Sequence, residues 1–325
     1  MRLTHVRQLT RPRLDRLFEL AELIRGSMRA GDQSFAARLA GRLSGRSAVL
    51  AFSQPSTRTF VSCSLAARAT GLVCEEMRGS ETSSRTKGET ELDTFLTLAN
   101  LADAIILRHH DPGLIERLAY ELTRRQMPTR LLNAGSGPDQ HPTQALLDVF
   151  TLNAHLDLRA ASRQITVGMV GDLRRGRAAR SLSHMLSQFP NVRQVFIAPD
   201  GLHMSGDVTD ALDTAGVEWS RTDDLDEMLP SLDAVYMVRL QDEYEIREDE
   251  APVTPVDMRL SPERTAMLPA HACILHPLPR RGELPLEVDD DPRARHWEAV
   301  ERGKWVRAAL LLHQFGCDDP SALSG

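Results

Sequence analysis

The segment Ser56-Thr57-Arg58-Thr59 brings three hydroxyl groups and one guanidinium together over four residues. It follows the apolar run 48–52, which is typical of a buried parallel strand, and a helical pattern then extends over 57–70. A helix N-terminus offers backbone N–H groups and a partial positive charge, and both suit a phosphate group. The segment therefore predicts a phosphate-binding helix start. An ordinary serine cap followed by an exposed arginine is the competing interpretation.

Further polar clusters follow predicted strands, at the carboxyl ends where parallel sheets collect functional groups. They are Arg108-His109-His110, His141-Pro142-Thr143-Gln144, Gly171-Asp172-Leu173-Arg174-Arg175-Gly176-Arg177, and a split pair formed by Arg239-Leu240-Gln241 and His276-Pro277-Leu278-Pro279-Arg280. Together with Arg58 they gather several arginines on a chain of net charge −6, which indicates a multiply anionic set of ligands. No Ser-His-Asp or Cys-His arrangement emerges. The sequence thus predicts a site that orients and polarises substrates.

Each of these clusters has a second interpretation. Arg108-His109-His110 could supply metal ligands, oxyanion donors or a solvated turn, and a metal is disfavoured because no third ligand has suitable local spacing. His141 and Gln144 could converge on one carbonyl oxygen or cap a helix. The loop 171–177 does not match the glycine pattern of dinucleotide sites, and its arginines favour a carboxylate. The carbonyls of segment 277–279 could accept from an amide or amine, or form a rigid turn.

Strands and helices alternate along the chain, which predicts an α/β protein with two domains, each a parallel sheet flanked by helices. The predicted strands are 48–52, 104–108, 130–134, 165–170, 195–198, 234–238 and 272–275. The predicted helices are 14–29, 57–70, 114–124, 143–156, 177–188 and 305–315. The polar segment 75–91 is predicted to be a mobile loop, and the acidic stretch 242–250 a surface loop.

The composition limits the function classes. A length of 325 residues suggests two domains, and a net charge of −6 argues against a general nucleic-acid binder. No apolar run approaches the roughly 20 residues that span a bilayer, and the first residues lack the order of a signal peptide. We therefore expect a cytoplasmic protein without nucleic-acid or membrane partners. The four cysteines have no metal-site spacing, and the only lysines are Lys87 and Lys304.

In their types and order, these motifs resemble the aspartate/ornithine carbamoyltransferase family, and most closely its aspartate-specific catalytic chains. The segment Lys87-Gly88-Glu89-Thr90 adds a further match, and the motifs span positions 56 to 280. The resemblance implies transfer of the carbamoyl group of carbamoyl phosphate to the amine of L-aspartate, an early step of pyrimidine synthesis. It implies no metal and no organic cofactor.

The resemblance also implies a role for each matching residue. Those expected to hold the phosphate are Ser56, Thr57, Arg58 and Thr59; those expected to polarise the carbamoyl carbonyl are Thr59, Arg108, His141 and Gln144. Those expected to bind the amino-acid carboxylates are Arg177, Arg239 and Gln241, while the carbonyls of Pro277 and Leu278 would orient the amines. Ser83 and Lys87 would come from a neighbouring subunit, which implies a homotrimer with shared active sites and leaves a regulatory or partner subunit open.

The implied organisation is a carbamoyl-phosphate-binding domain over 1–150 and an amino-acid-binding domain over 151–300, with the active site between them. A C-terminal helix within 301–325 would pack back on the first domain.

Departures from the family pattern leave two alternatives open. Phe60 stands where a second arginine is usual, and Cys63-Ser64 replace a Phe-Glu pair, so that two charges at i, i+4 spacing are lost together. Asp242-Glu243-Tyr244 replaces a basic segment, while Pro277 stands where ornithine enzymes place cysteine. The alternatives are a carbamoyltransferase for another amino-acid or diamino-acid acceptor, and a non-catalytic homologue.

Overall fold

The computed structural model describes residues 1–78, 88–137, 140–159, 163–239 and 257–323. The chain divides into two compact units. Unit 1 comprises Met1–Leu147 and Glu301–Gly325, and unit 2 comprises Asp148–Val300. The backbone hydrogen bonds of each unit form a five-stranded sheet.

Unit 1 is built on a parallel sheet with the strand order β1-β5-β4-β2-β3. Its strands are β1 (Arg2–Leu3), β2 (Ser47–Phe52), β3 (Val73–Arg78), β4 (Ala104–His109) and β5 (Arg130–Ser136). Its helices are α1 (Arg11–Arg29), α2 (Gln33–Gly41), α3 (Thr57–Ala69), α4 (Glu91–Leu101), α5 (Pro112–Arg124) and the first part of α6 (Pro142–Leu156). The central strands β2 and β4 are almost wholly buried, as expected of apolar runs covered on both faces.

Unit 2 is built on a second parallel sheet, with the order β10-β9-β6-β7-β8. Its strands are β6 (Ile165–Gly171), β7 (Val192–Ile197), β8 (Trp219–Thr222), β9 (Ala234–Val238) and β10 (Cys273–Leu275). Its helices are α7 (Arg177–Leu186), α8 (Gly206–Thr214), α9 (Leu225–Met228) and α10 (Pro262–Ala266). The last helix of the chain is α11 (His296–Phe315). The predicted fold class, parallel sheets flanked by helices, is therefore confirmed.

The predicted loop over 75–91 is wrong at both ends. Its first residues belong to β3, which pairs along its whole length with β2, and its last residue begins α4. β3 is an edge strand whose side chains are mostly exposed. It therefore lacks the apolar run or alternation on which strand prediction depends. No helix among the described residues is long and apolar enough to cross a membrane.

Candidate active site

The predicted phosphate-binding segment lies at the carboxyl end of β2, where α3 begins at Thr57. Ser56 is the N-cap residue, and within the described residues its hydroxyl makes no capping hydrogen bond. Thr57 and Arg58 are exposed, whereas Thr59 is buried. The serine-cap interpretation requires a side-chain bond that this geometry does not contain. The serine cap is thus not formed among the described residues, and the phosphate-binding helix start stays a prediction.

A cleft of about 300 Å³ lies beside this helix start. Its lining comprises Phe52–Thr57, Phe60, Val61 and Arg78. The turn that forms its floor is tied to the neighbouring strand, because the backbone N–H and hydroxyl of Ser53 both donate to the carbonyl oxygen of Arg108, at 3.0 and 3.2 Å. The first two predicted clusters therefore meet at one edge of the unit 1 sheet.

Arg108 and His141 form a buried pair at this edge. The Nη1 atom of Arg108 donates to the carbonyl oxygen of Ala134 at 3.3 Å and lies 3.5 Å from Nε2 of His141. Because a guanidinium has no acceptor, Nε2 of His141 accepts in this contact and the ring proton resides on Nδ1. Gln144 is half-buried in the first turn of α6, and its backbone N–H donates to the carbonyl oxygen of His141 at 3.0 Å.

The last residues of β5 hold this pair in place, which the sequence alone does not indicate. The side chain of Asn133 accepts from the N–H of Gly135 at 2.8 Å and donates to the carbonyl oxygen of Thr4 at 2.6 Å. Gly135 has a φ of +118°, and a Cβ built there would lie 2.6 Å from Nη1 of Arg108. Asn133 and Gly135 are therefore positioning residues. Gly135 is visible in the sequence, but its close approach to Arg108 is not.

Arg307 is a further positioning residue that the sequence did not reveal. This buried guanidinium of α11 donates to the hydroxyl of Ser62 at 2.9 Å and to the carbonyl oxygen of Thr143 at 3.5 Å. It thereby connects α3 and α6, the two helices that begin at the site. An arginine within the otherwise apolar stretch 305–312 was the available signal.

His109 is directed away from Arg108, because successive side chains of a strand face opposite sides of the sheet. Its Nδ1 accepts from the N–H of Asp111 at 3.1 Å, so Nε2 carries the proton and donates to Glu91 at 3.3 Å. Burial lowers the pKa of His109, although the carboxylate of Glu91 acts in the opposite direction. The imidazole is thus a neutral structural contact between β4 and α4.

Glu91 also supplies the third ligand-type group near His109 and His110 that local spacing did not indicate, with ligand atoms within 4.8 Å of one another. The donor chemistry nevertheless does not suit a metal ion. A metal ion bound at Nε2 of His109 would require the ring proton to move to Nδ1. Nδ1 faces the backbone N–H of Asp111, so that proton would meet another donor. We therefore assign a structural role to Glu91, His109 and His110.

In unit 2, the predicted carboxylate-binding arginines follow neighbouring strands. The register pairs Gly171, the last residue of β6, with Val238, the last residue of β9. Arg177 begins α7 after β6, and Arg239 directly follows β9. Both are partly exposed. The structure thus places both guanidinium-bearing residues at the carboxyl edge of one sheet.

The segment after β10 is held in a fixed turn. Nδ1 of buried His276 accepts from the N–H of Leu278 at 2.7 Å, and Nε2 donates to Glu283 at 2.7 Å. Although burial acts to raise the pKa of Glu283, the hydrogen bond with His276 keeps that pKa below its usual value. Pro277 and Leu278 are partly exposed, and Leu278 has a φ of +59°. The rigid-turn interpretation therefore describes the local structure, and it also presents the carbonyl groups.

Asp289 anchors the end of this turn. Its carboxylate accepts from both terminal nitrogens of Arg280, at 2.5 and 2.6 Å, and from the side chains of His296 and Trp297. The guanidinium of Arg280 is the main reason that the pKa of Asp289 falls to about 2. A depressed carboxyl pKa stabilises the fold above the unfolded-state value of 3.8 and loses that effect as the pH falls towards 2.

We expect Asp289→Asn to lower the urea midpoint of unfolding at about pH 6 and to lose roughly half of that difference at about pH 3, midway between the folded and unfolded pKa values. The exposed Asp210→Asn of α8 is the control and should show little difference at either pH. Equilibrium denaturation at both pH values measures the effect. A deficit for Asp289→Asn that is the same at both would contradict the assignment.

Some predicted residues lie outside the described part of the chain. They are Ser83, Lys87 and Gln241, together with the departing segment Asp242-Glu243-Tyr244. The other departures are described: Phe60 and Ser64 are both buried, and the ring of Phe60 packs edge-to-face on Phe52 at 5.1 Å. Aromatic packing thus occupies position 60, where the family resemblance implies an arginine paired with a glutamate at position 64.

Models of two protein domains match almost the whole chain. Residues 2–154 match the carbamoyl-P binding domain of aspartate/ornithine carbamoyltransferases, and residues 163–314 match the Asp/Orn binding domain of the same enzymes. The chain belongs to the aspartate/ornithine carbamoyltransferase family.

Relatives within the carbamoyltransferase family are similar over nearly the full length. The chloroplastic aspartate carbamoyltransferase of Oryza sativa subsp. japonica is 37% identical over 311 residues, which cover 94% of this chain and 82% of the rice protein. The aspartate carbamoyltransferase catalytic subunit of Methanospirillum hungatei is 36% identical over 310 residues, covering 94% and 96%. The Trypanosoma cruzi aspartate transcarbamoylase, solved with carbamoyl phosphate and aspartate, superposes with a TM-score of 0.85 at 32% identity, covering 95% of both chains.

Proposed function

We propose that this carbamoyltransferase transfers the carbamoyl group of carbamoyl phosphate to the amine of L-aspartate, giving N-carbamoyl-L-aspartate and phosphate in pyrimidine biosynthesis. The observation that carries the proposal is the buried Arg108–His141 pair, tied through Ser53 to the donor-rich start of α3. Relatives named aspartate carbamoyltransferases, from Oryza sativa and Methanospirillum hungatei, support the choice of aspartate.

Carbamoyl phosphate binds at unit 1 in this proposal. The groups that hold its phosphate are those of Ser56, Thr57, Arg58 and Thr59, where the N-terminus of α3 supplies backbone N–H groups. The groups that polarise its carbonyl are those of Thr59, Arg108, His141 and Gln144. Negative charge grows on the carbonyl oxygen as the amine attacks, and preorganised donors stabilise that charge as an oxyanion hole does.

The amino acid binds through unit 2. Arg177, Arg239 and Gln241 take its carboxylates, and the carbonyl oxygens of Pro277 and Leu278 accept hydrogen bonds from the carbamoyl and attacking amines. The amine nitrogen forms a bond to the carbamoyl carbon while the bond from that carbon to the phosphate oxygen breaks. The departing phosphate takes the proton of the amine, so that no protein side chain is required as the base.

A direct assay tests this proposal. Purified protein with carbamoyl phosphate and aspartate well above 1 mM should release phosphate and form N-carbamoyl-L-aspartate. Parallel reactions with ornithine and with amino acids that have no side-chain carboxylate should be slower by at least ~10²-fold, because these acceptors lack the second carboxylate or carry an added positive charge. Absence of carbamoyl aspartate would reject the proposal. Faster turnover of a diamino acid would identify that amino acid as the acceptor substrate.

We further propose a cytoplasmic homotrimer whose neighbouring subunit supplies Ser83 and Lys87. The apolar side chains of Val61, Leu65 and Val73 are 46%, 44% and 59% exposed on α3 and the adjacent edge strand, which supports burial between subunits. Light scattering should give three times the chain mass of 36.1 kDa. A monomer that retains full activity would contradict the shared site.

A further inference from the structure

Arg78 lies beside the start of α3 although no sequence motif includes it. It is the last residue of the edge strand β3, and the register places it next to Phe52, the last residue of β2. Its side chain lines the same cleft as Ser56 and Thr57. Of the described residues lining this cleft, Arg78 alone carries a charge.

Phe60 holds the guanidinium of Arg78 over this cleft. The Cζ atom of Arg78 lies 3.7 Å from the centre of the Phe60 ring, which is the geometry of a cation–π contact. The ring is itself fixed, because it is buried and packs edge-to-face on Phe52 at 5.1 Å. A flexible arginine is thus preorganised by a rigid platform, which reduces the entropy lost when it binds an anion.

The other partner of Arg78 does not occupy the whole guanidinium. Nη2 lies 3.0 Å from a carboxylate oxygen of Glu76, and the two side chains are 63% and 42% exposed. Exposed pairs of this kind contribute little to stability. Since a guanidinium has five N–H donors, edges of Arg78 can donate to a phosphate while Glu76 keeps its contact.

We propose that Arg78 is a phosphate-binding residue of this chain. Its guanidinium, stacked on Phe60, donates to phosphate oxygens of carbamoyl phosphate at the start of α3. The assignment of carbamoyl phosphate rests on the proposed function. The aromatic residue at position 60 thereby acts as the platform for Arg78.

The first experiment removes the charge. Arg78→Gln should raise the KM for carbamoyl phosphate ~10-fold with little change in kcat, because one charge-assisted contact to the substrate is lost. The dissociation constant for inorganic phosphate, measured by calorimetry, should rise by a similar factor. Arg46→Gln is the matched control: Arg46 is 54% exposed and pairs with Asp103 at 3.0 Å, beside the opposite end of β2. It should leave both constants unchanged.

The second experiment removes the platform. Phe60→Leu keeps an apolar side chain on Phe52 but removes the ring, and should raise the same KM ~3-fold. Phe60→Tyr should retain the wild-type value. In the double variant with Arg78→Gln, the Phe60→Leu change should have no further effect, because its effect passes through Arg78. Additive effects of the two substitutions would overturn the platform role.

The outcomes separate this inference from the proposed function. If the wild-type protein does not carbamoylate aspartate, the proposed function fails, and phosphate calorimetry still decides whether Arg78 binds the anion. If the wild-type protein is active and Arg78→Gln has wild-type KM and phosphate affinity, the role of Arg78 is wrong while the function stands. Thermal unfolding near the wild-type Tm confirms that the variants are folded.

Discussion

Arg108→Met is expected to lower kcat by ~10²–10³-fold, the effect typical of removing one preorganised oxyanion donor. Arg108 is buried at the carboxyl end of β4 and lies 3.5 Å from His141, so its N–H groups are fixed before substrate arrives. Methionine retains much of the aliphatic length and leaves no large cavity. The change therefore removes the charge and the donors while retaining the packing.

The test compares kcat and the KM for carbamoyl phosphate in wild type and variant. Arg130→Met is the control, because Arg130 begins the neighbouring strand β5 and its guanidinium stacks on Phe315 at 4.2 Å, beside the other end of the sheet. The control should lose some stability and keep its kcat. A wild-type kcat in a folded Arg108→Met protein would show that Arg108 does not stabilise the transition state.

The parts of the structure that the sequence predicts well are those determined locally. β9 has the predicted bounds, and α3 starts at the predicted residue, because an apolar run, turn residues and helical spacing follow one another there. β3 was missed because an edge strand facing solvent needs no apolar residues. α11 begins at His296, nine residues before the predicted helix 305–315, because charged residues interrupt the apolar pattern of its first half.

The candidate active site shows the same difference between features that are determined locally and features that depend on tertiary contacts. Motif residues such as Arg108 and His141 can be identified from their types and from the strands that precede them. The residues that position them depend on contacts across the fold, such as Arg307 with Ser62, 245 residues apart in the chain. The stacking of Arg78 on Phe60 likewise connects an edge strand with a helix. A motif therefore predicts which groups act, while their support requires the tertiary structure.

Gly135→Ala should lower kcat by ~10²-fold although it adds one methyl group outside every motif. The new Cβ would lie 2.6 Å from Nη1 of Arg108, and the free end of an arginine can move aside. The steric clash is thus relieved by displacing the guanidinium of Arg108, which the proposed mechanism uses to polarise the carbamoyl carbonyl. The φ of +118° adds backbone strain of about 1–3 kcal/mol for any residue with a side chain.

Gly45→Ala separates these two effects. Gly45 also has a positive φ, of +77°, but a Cβ there would meet no described atom within 4 Å. Its alanine variant should therefore lose stability and keep its kcat, whereas Gly135→Ala should lose both. If Gly135→Ala retained wild-type kcat and lost only stability, Gly135 would support the fold alone. The fixed position of Arg108 would then depend on its bond to Ala134 and its contact with His141.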